Sequence, residues 1–286
     1  MRLLKLLVEY DFDIKKLTSF KIGGKIARMY FPETVDEFVE VLKKEPQAYV
    51  AGNLSNTLVS SDGFDGAVIS TSKLNGIKID GTKVIAGAGV KGPKLSQAVA
   101  EVGLSGLEFM IGFPGSVGGE VYMNAGANGQ CVADVLKSAK VYCPEKGLIT
   151  LTDLEFDYRT SVCQKKNYIV LEAEFELIPR EGVKEKMQEN LAFRKSHQPS
   201  LALPNCGSIF KNPPNNSAGR LLDECGVKGF EVGGVKVWEN HANFIVNHND
   251  GTSKDVINLM REMQKRVKEK FDIELKPEIR FLGETL

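Results

Sequence analysis

Between Ile111 and Gly129 the chain reads IGFPGSVGGEVYMNAGANG, and six of these nineteen residues are glycine. A regular helix or strand tolerates that density poorly, because glycine loses more conformational freedom on folding than any other residue. The stretch suits a tight loop whose backbone comes close to another group. Pro114 fixes one φ inside it and makes it a rigid turn, not a linker. Small residues that expose successive N–H groups favour an anion, above all a pyrophosphate. A plain surface loop is the simpler alternative, but the apolar flanks Leu107, Phe109, Met110, Val121 and Met123 point to burial.

The length of 286 residues favours two ordinary domains over a single large one. Basic and acidic residues number 37 each, and zero formal net charge argues against nucleic acid as a partner. No apolar run approaches the roughly 18–20 residues that span a bilayer. MRLLKLLVEY lacks the apolar core and cleavage site of a secretory signal, so a cytoplasmic protein without a membrane partner is expected. Cys131, Cys143, Cys163, Cys206 and Cys225 contain no C-x-x-C pair, which favours reduced thiols. His197, His241 and His248 form no ligand motif, and no metal site is expected.

Periodicity divides the chain into short strands and a few helices. Residues 2–9 would place leucines on one side of a short helix. Thr34 and Glu37 make a capping box ahead of Val35, Phe38, Val39 and Leu42. Strands are expected at 48–51, 67–70, 76–80, 82–86, 138–143, 147–152 and 168–177. In the last of these Leu171, Ala173, Phe175 and Leu177 alternate to one side. Pro179 to Gly182 reads as a domain boundary, giving 1–180 and 181–286. Beyond it come a charged helix at 183–197, a strand at 207–211 and a helix at 217–225. Strands at 230–237 and 242–247 follow, then a long helix at 253–270 and a final strand in LKPEIRFL.

Gly87, Gly89 and Gly92 spell G-x-G-x-x-G between a strand and a helix, the local setting of a dinucleotide-binding turn. Pro93 and Lys94 move the expected helix start past the third glycine, and no regular βαβα alternation follows. These glycines are better read as a strand end and a helix entry, with Gly103 closing the helix.

Several segments resemble one family. GLEFMIGFPGSVGGEVYMNAGANG (106–129) is similar to the flavin-contacting segment of UDP-N-acetylenolpyruvoylglucosamine reductases, GLEF-x-x-GIPGSVGGA-x-x-MNAGAYG, and departs from it at Phe113 and Asn128. TSFKIGG (18–24) resembles the opening NTSFKIGG, with Leu17 in the Asn position. AGNLSNTLVSSDGFDG (51–66) resembles the second flavin loop, GGGSNLLVSD-x-GF-x-G, with Asn53 and Leu54 replacing two glycines. Asparagine tolerates positive φ, whereas leucine does not. YRTS (158–161), CGSIFKNP (206–213) and KPEIRFLG (276–283) are similar to Y-R-x-S, GS-x-FKNP and PE-V/I-RFIG. SAGRLLDECGVKGFEVGGVKV (217–237) and HANFIVN (241–247) extend the likeness over nearly the whole chain.

The resemblance implies an α+β fold: a two-lobed FAD-binding domain of the PCMH/vanillyl-alcohol-oxidase type, with lobes of about 1–72 and 73–180, and a smaller α+β substrate-binding domain. It assigns FAD to Gly52, Ser55, Asn56, Gly112, Pro114, Gly115, Ser116, Gly118, Gly119, Asn124 and Ala125. Arg159 takes the catalytic arginine position, Ser208 the proton-donor position and Glu278 the acid position. Arg194, Lys211 and Asn212 are candidates for the substrate's phosphates and sugar. The 49 residues from Arg159 to Ser208 place the chain in the branch lacking an inserted substrate-covering loop. The implied activity is NADPH-driven reduction of UDP-N-acetylglucosamine enolpyruvate in peptidoglycan precursor synthesis, by a monomer.

The residues suit that chemistry on their own terms. Reducing an enol ether needs a hydride, which no side chain donates, so a cofactor must supply it. Charge then develops on the neighbouring carboxylate, where a permanently protonated, planar guanidinium such as Arg159 stabilises it. A protonated Glu278 would donate to the same oxygens. Ser208 would deliver the second hydrogen as a proton, with Lys211 offsetting the charge it leaves. Two other functions compete: a flavin oxidase of the same fold, and a non-catalytic nucleotide-binding module.

Overall fold

The computed structural model of the chain describes residues 7–200 and 202–286. The chain divides into two compact units, neither continuous in sequence. One holds Met29–Asn53 and Ala67–Arg194 with residues 7–9; the other holds Tyr10–Arg28, Leu54–Gly66 and the described residues from Lys195 to Leu286. Division at several points follows from packing, since segments far apart in sequence bury their apolar faces together. Among the described residues no helix is long and apolar enough to cross a membrane.

The first unit is built on an antiparallel sheet of five strands in the order Gly147–Leu151, Leu136–Cys143, Ile169–Glu176, Lys83–Gly87, Ile77–Asp80. The alternation expected in 168–177 is present: Leu171, Ala173, Phe175 and Leu177 are all at most 1% exposed. Helix Gly92–Glu101 adds Leu95 and Val99 to the core that holds Ala173 and Phe175, and the short helix Val117–Tyr122 adds Val117 and Val121. Those two anchors fix the glycine stretch on the sheet. An antiparallel sheet rules out the doubly wound alternative, as the missing βαβα alternation implied. The helix starts at Gly92 itself, not beyond it, because Pro93 falls in the first turn, where no N–H is needed.

Helix Val35–Lys44 packs Phe38, Val41 and Leu42 against Ile69, Leu74 and Leu171. Each such side chain contributes roughly 1.5–3 kcal/mol by leaving water. Thr34 caps it, accepting the Glu37 N–H at 3.1 Å, while the Glu37 carboxylate accepts from Glu33 and not from Thr34. The expected helix at 2–9 lies outside the described residues up to position 6. From Val8 the chain is a strand, Val8–Asp13, in place of helix.

In the second unit the strands Asn205–Ser208, Phe244–Asn247, Val235–Val237 and Glu231–Val232 form an antiparallel sheet in that order. The strand expected over 230–237 is therefore a hairpin, turned at Gly233 with φ +55°. Helix Ser253–Phe271 begins at a complete capping box, Thr252 with Asp255, and buries Val256, Leu259, Met260, Met263 and Val267. Of LKPEIRFL only Arg280–Leu282 is ladder-paired, in parallel with Thr57–Val59.

Candidate functional site

In the first unit, the glycine loop is held by the backbone in front of it. Val117 and Gly118 donate to the Val90 and Ala88 carbonyls at 2.8 and 2.9 Å, and Gly92 donates to Gly115 at 3.3 Å. A Cβ on Gly118 would lie 2.8 Å from the Ala88 methyl, so packing alone demands glycine there. Ser116 is 3% exposed, and its hydroxyl has no hydrogen-bond partner among the described residues. The α-carbon of Gly52 lies against that hydroxyl; a Cβ at 52 would stand 2.6 Å from it. Asn53 then joins the two loops, its side-chain amide donating to the Pro114 carbonyl. Gly112 lies under the aliphatic stem of Arg194, whose guanidinium is half-buried and has its pKa lowered by desolvation. Gly119, by contrast, is exposed at the start of helix Val117–Tyr122.

The end of this loop is tied to Arg159. Asn124, at φ +44°, uses its side chain twice, donating to the Asp157 carbonyl and accepting from Ala133, both at 3.1 Å. Arg159 donates through Nη2 to the Gly126 carbonyl at 2.9 Å and lies beside the Tyr158 ring. The Ala125 N–H is taken by the Glu120 carbonyl at 2.8 Å. Arg159 itself has φ +53°, a strained conformation for a non-glycine residue, and such strain gathers at functional positions.

The second unit holds Ser208 and Glu278. Both are half-buried. The Glu278 N–H donates to the carbonyl of Ile209, the residue after Ser208, at 2.8 Å, and Lys211 donates to Lys276 at 2.9 Å. Asn56 meets the same segment from the other side: its amide donates to the Glu278 carbonyl at 3.1 Å, and its own carbonyl accepts from Arg280 at 2.9 Å. Ser208, Glu278 and Asn56 are thus brought to one place. Ser55 belongs to this unit and is half-buried; Leu54 before it adopts φ +48° at 5% exposure. The exposed Asn212 caps helix Ala218–Glu224 by accepting the Ala218 N–H at 3.0 Å. Cys206 is enclosed, and burial pushes its thiol up, so it is no nucleophile.

Sequence reasoning missed Glu120. It is 3% exposed, neither carboxyl oxygen has a hydrogen-bond partner among the described residues, and burial raises its pKa to about 8. Its Oε1 occupies the space a Cβ would need at Gly92 or Gly115, at 2.3 and 2.9 Å. The available signal was a lone acid among apolar and glycine residues. Asn243 was also missed, because its partners lie far away in sequence.

Residues 198–282 match the family described as UDP-N-acetylenolpyruvoylglucosamine reductase, C-terminal domain, and residues 26–152 match the FAD binding domain family. A UDP-N-acetylenolpyruvoylglucosamine reductase of Caldicellulosiruptor bescii is 42% identical over 96% of this chain and 90% of its own length. One from Alkaliphilus metalliredigens is 43% identical over 95% and 92%. The chain belongs to the UDP-N-acetylenolpyruvoylglucosamine reductase family. The crystal structure of the Thermus caldophilus reductase has a TM-score of 0.83 at 34% identity, covering 98% of this chain and 99% of that one. The α+β fold class follows, and the chain is a flavoprotein oxidoreductase. Its residues fit FAD: a buried hydroxyl at Ser116 without a partner among the described residues, glycine at 52 where a side chain would collide, and short loops joined by Asn53.

Proposed function

We propose that this enzyme reduces UDP-N-acetylglucosamine enolpyruvate to UDP-N-acetylmuramate with NADPH, a step in peptidoglycan precursor synthesis. The observation that carries the reading is the backbone bond from Glu278 to Ile209, the residue after Ser208, with Asn56 bonded to the Glu278 carbonyl. Bound FAD would supply the hydride for the enolpyruvyl β-carbon, with NADPH as the reductant. Gly52, Ser55, Asn56, Gly112, Pro114, Gly115, Ser116, Gly119 and the backbone near Asn124 and Ala125 would hold that cofactor. Gly118 serves it by letting the loop pack.

Arg159 stabilises the charge that develops on the substrate carboxylate, and a protonated Glu278 donates a hydrogen bond to the same oxygens. Ser208 delivers a proton to the α-carbon, with the Lys211 ammonium offsetting the charge left on its oxygen. Arg194, Lys211 and the exposed Asn212 provide contacts for the diphosphate and sugar. The setting is cytoplasmic and the enzyme monomeric, with neither nucleic acid nor membrane involved.

Anaerobic spectroscopy tests this. NADPH should bleach the flavin absorbance of the purified protein, and the enolpyruvyl sugar nucleotide should restore it. Ser208→Ala should slow the restoration about 10²- to 10⁴-fold while leaving the bleaching within about twofold. A protein restored by oxygen alone and indifferent to the sugar nucleotide would sink the reading.

A further inference from the structure

HANFIVN is a motif for which the chemistry above gives no purpose. Within it Asn243 is 4% exposed, just ahead of strand Phe244–Asn247. Its side chain grips both backbone groups of one residue: Oδ1 accepts the Phe210 N–H at 3.0 Å, and Nδ2 donates to the Phe210 carbonyl at 2.8 Å. Its own carbonyl accepts from Ile209 at 2.9 Å. On their other side the same two residues hold the acid's segment. The Ile209 carbonyl accepts from Glu278, and Phe210 bridges to Pro277.

The need for such a grip comes from the sheet. Strand Asn205–Ser208 pairs with Phe244–Asn247 irregularly, with a register shift before Ser208, and its ladder ends at Ser208. Beyond that point the Asn243 side chain replaces the ladder. Among side chains of this size only an amide offers one donor and one acceptor to the C=O and N–H of a single residue; aspartate lacks the donor and leucine lacks both.

We propose that Asn243 is a positioning residue for the reaction: by clamping Ile209 and Phe210 it sets the Ser208 hydroxyl and the Glu278 carboxyl in register. This rests on the roles proposed above for Ser208 and Glu278. Asn243 acts through them and contacts neither substrate nor cofactor. A displacement of about 1 Å at reacting groups costs on the order of 100-fold in rate, which sets the size of effect to seek.

The test is anaerobic stopped-flow on FAD-loaded enzyme carrying Asn243→Ser or Asn243→Asp, alone and combined with Ser208→Ala. Recovery of flavin absorbance with the enolpyruvyl sugar nucleotide should slow about 10- to 100-fold in the single variants. Bleaching by NADPH should stay within about twofold, and FAD affinity within about threefold. In the Ser208→Ala background, Asn243→Ser should slow recovery by less than about threefold more, since residues acting as a unit are non-additive.

Full slowing in that background overturns the inference, as does unchanged recovery in the single variants. So does an equal fall in bleaching and recovery, the mark of a purely structural residue. If neither variant folds, hydrogen exchange in the wild-type enzyme decides. Ile209 and Phe210 amides protected like Val237 support the clamp, and free exchange there overturns it. If Ser208→Ala itself leaves recovery unchanged, the proposed function fails; if it slows recovery and the Asn243 variants do not, only this inference fails.

Discussion

Around Ser208 and Glu278 the backbone is paired on both sides, by Asn243 and Asn56 and by the bond from Glu278 to Ile209. Around the glycine loop, polar groups are left over. The Ser116 hydroxyl and both Glu120 oxygens find no hydrogen bond among the described residues, and Asn124 and Arg159 have positive φ. The two regions solve different problems. Side chains that must be placed to a fraction of an ångström are carried on backbone that its own unit pairs. A loop that accommodates a nucleotide keeps short side chains, strain and groups whose pairing is not supplied by the chain.

Glu120 offers the sharpest way to break this contrast. Its folded pKa of about 8 lies above the ordinary value of 4.5. Between those values the folded state keeps a proton that the unfolded chain has lost, so stability falls as pH rises through the window, by up to about 5 kcal/mol. Urea unfolding from pH 5 to 8 should slope downward for the wild type and run flat for Glu120→Gln, leaving the variant ahead at pH 8. Parallel slopes would mean that Glu120 is as well paired as the groups near Ser208.

Arg159→Lys comes next. Lysine keeps the charge but not the planar fork, and kcat should fall about 10²- to 10³-fold with FAD affinity nearly unchanged. Loss of FAD affinity with turnover intact would move Arg159 from the catalytic group to the cradle. Gly52→Ala puts a methyl group 2.6 Å from the Ser116 hydroxyl and should weaken FAD binding about tenfold by fluorescence titration. Ser116→Ala should recover part of that loss, and no recovery would show that the two loops do not meet through this contact. The smallest effect is expected from Asn53→Ala: one side-chain hydrogen bond is lost, FAD binds about three- to tenfold more weakly, and the melting temperature barely moves. A large drop in melting temperature would show that the cradle is as integral to the fold as the Ser208 segment.

Much of the site was legible because its signals are local. Gly112 to Gly119 announced a close-approach loop, and Pro93 announced a helix entry one residue from its true start. Asn53 showed only as a departure from glycine, since its tie to Pro114 spans 61 residues. Glu120 showed as a lone acid among apolar and glycine residues, but not its full depth, because part of its enclosure comes from Gly92 on another helix. Asn243 reaches Phe210 across 33 residues, and no pattern within HANFIVN points to that partner.

The sequence by itself determined the period-2 strands, the helix caps, the glycine turns and the order of the motifs, since neighbouring residues settle backbone sterics and capping. Only the tertiary structure decided which distant segments share a unit, which carboxyl lost its water and which amide holds Ile209 and Phe210. Those outcomes depend on burial and pairing between residues that meet only after the chain has packed.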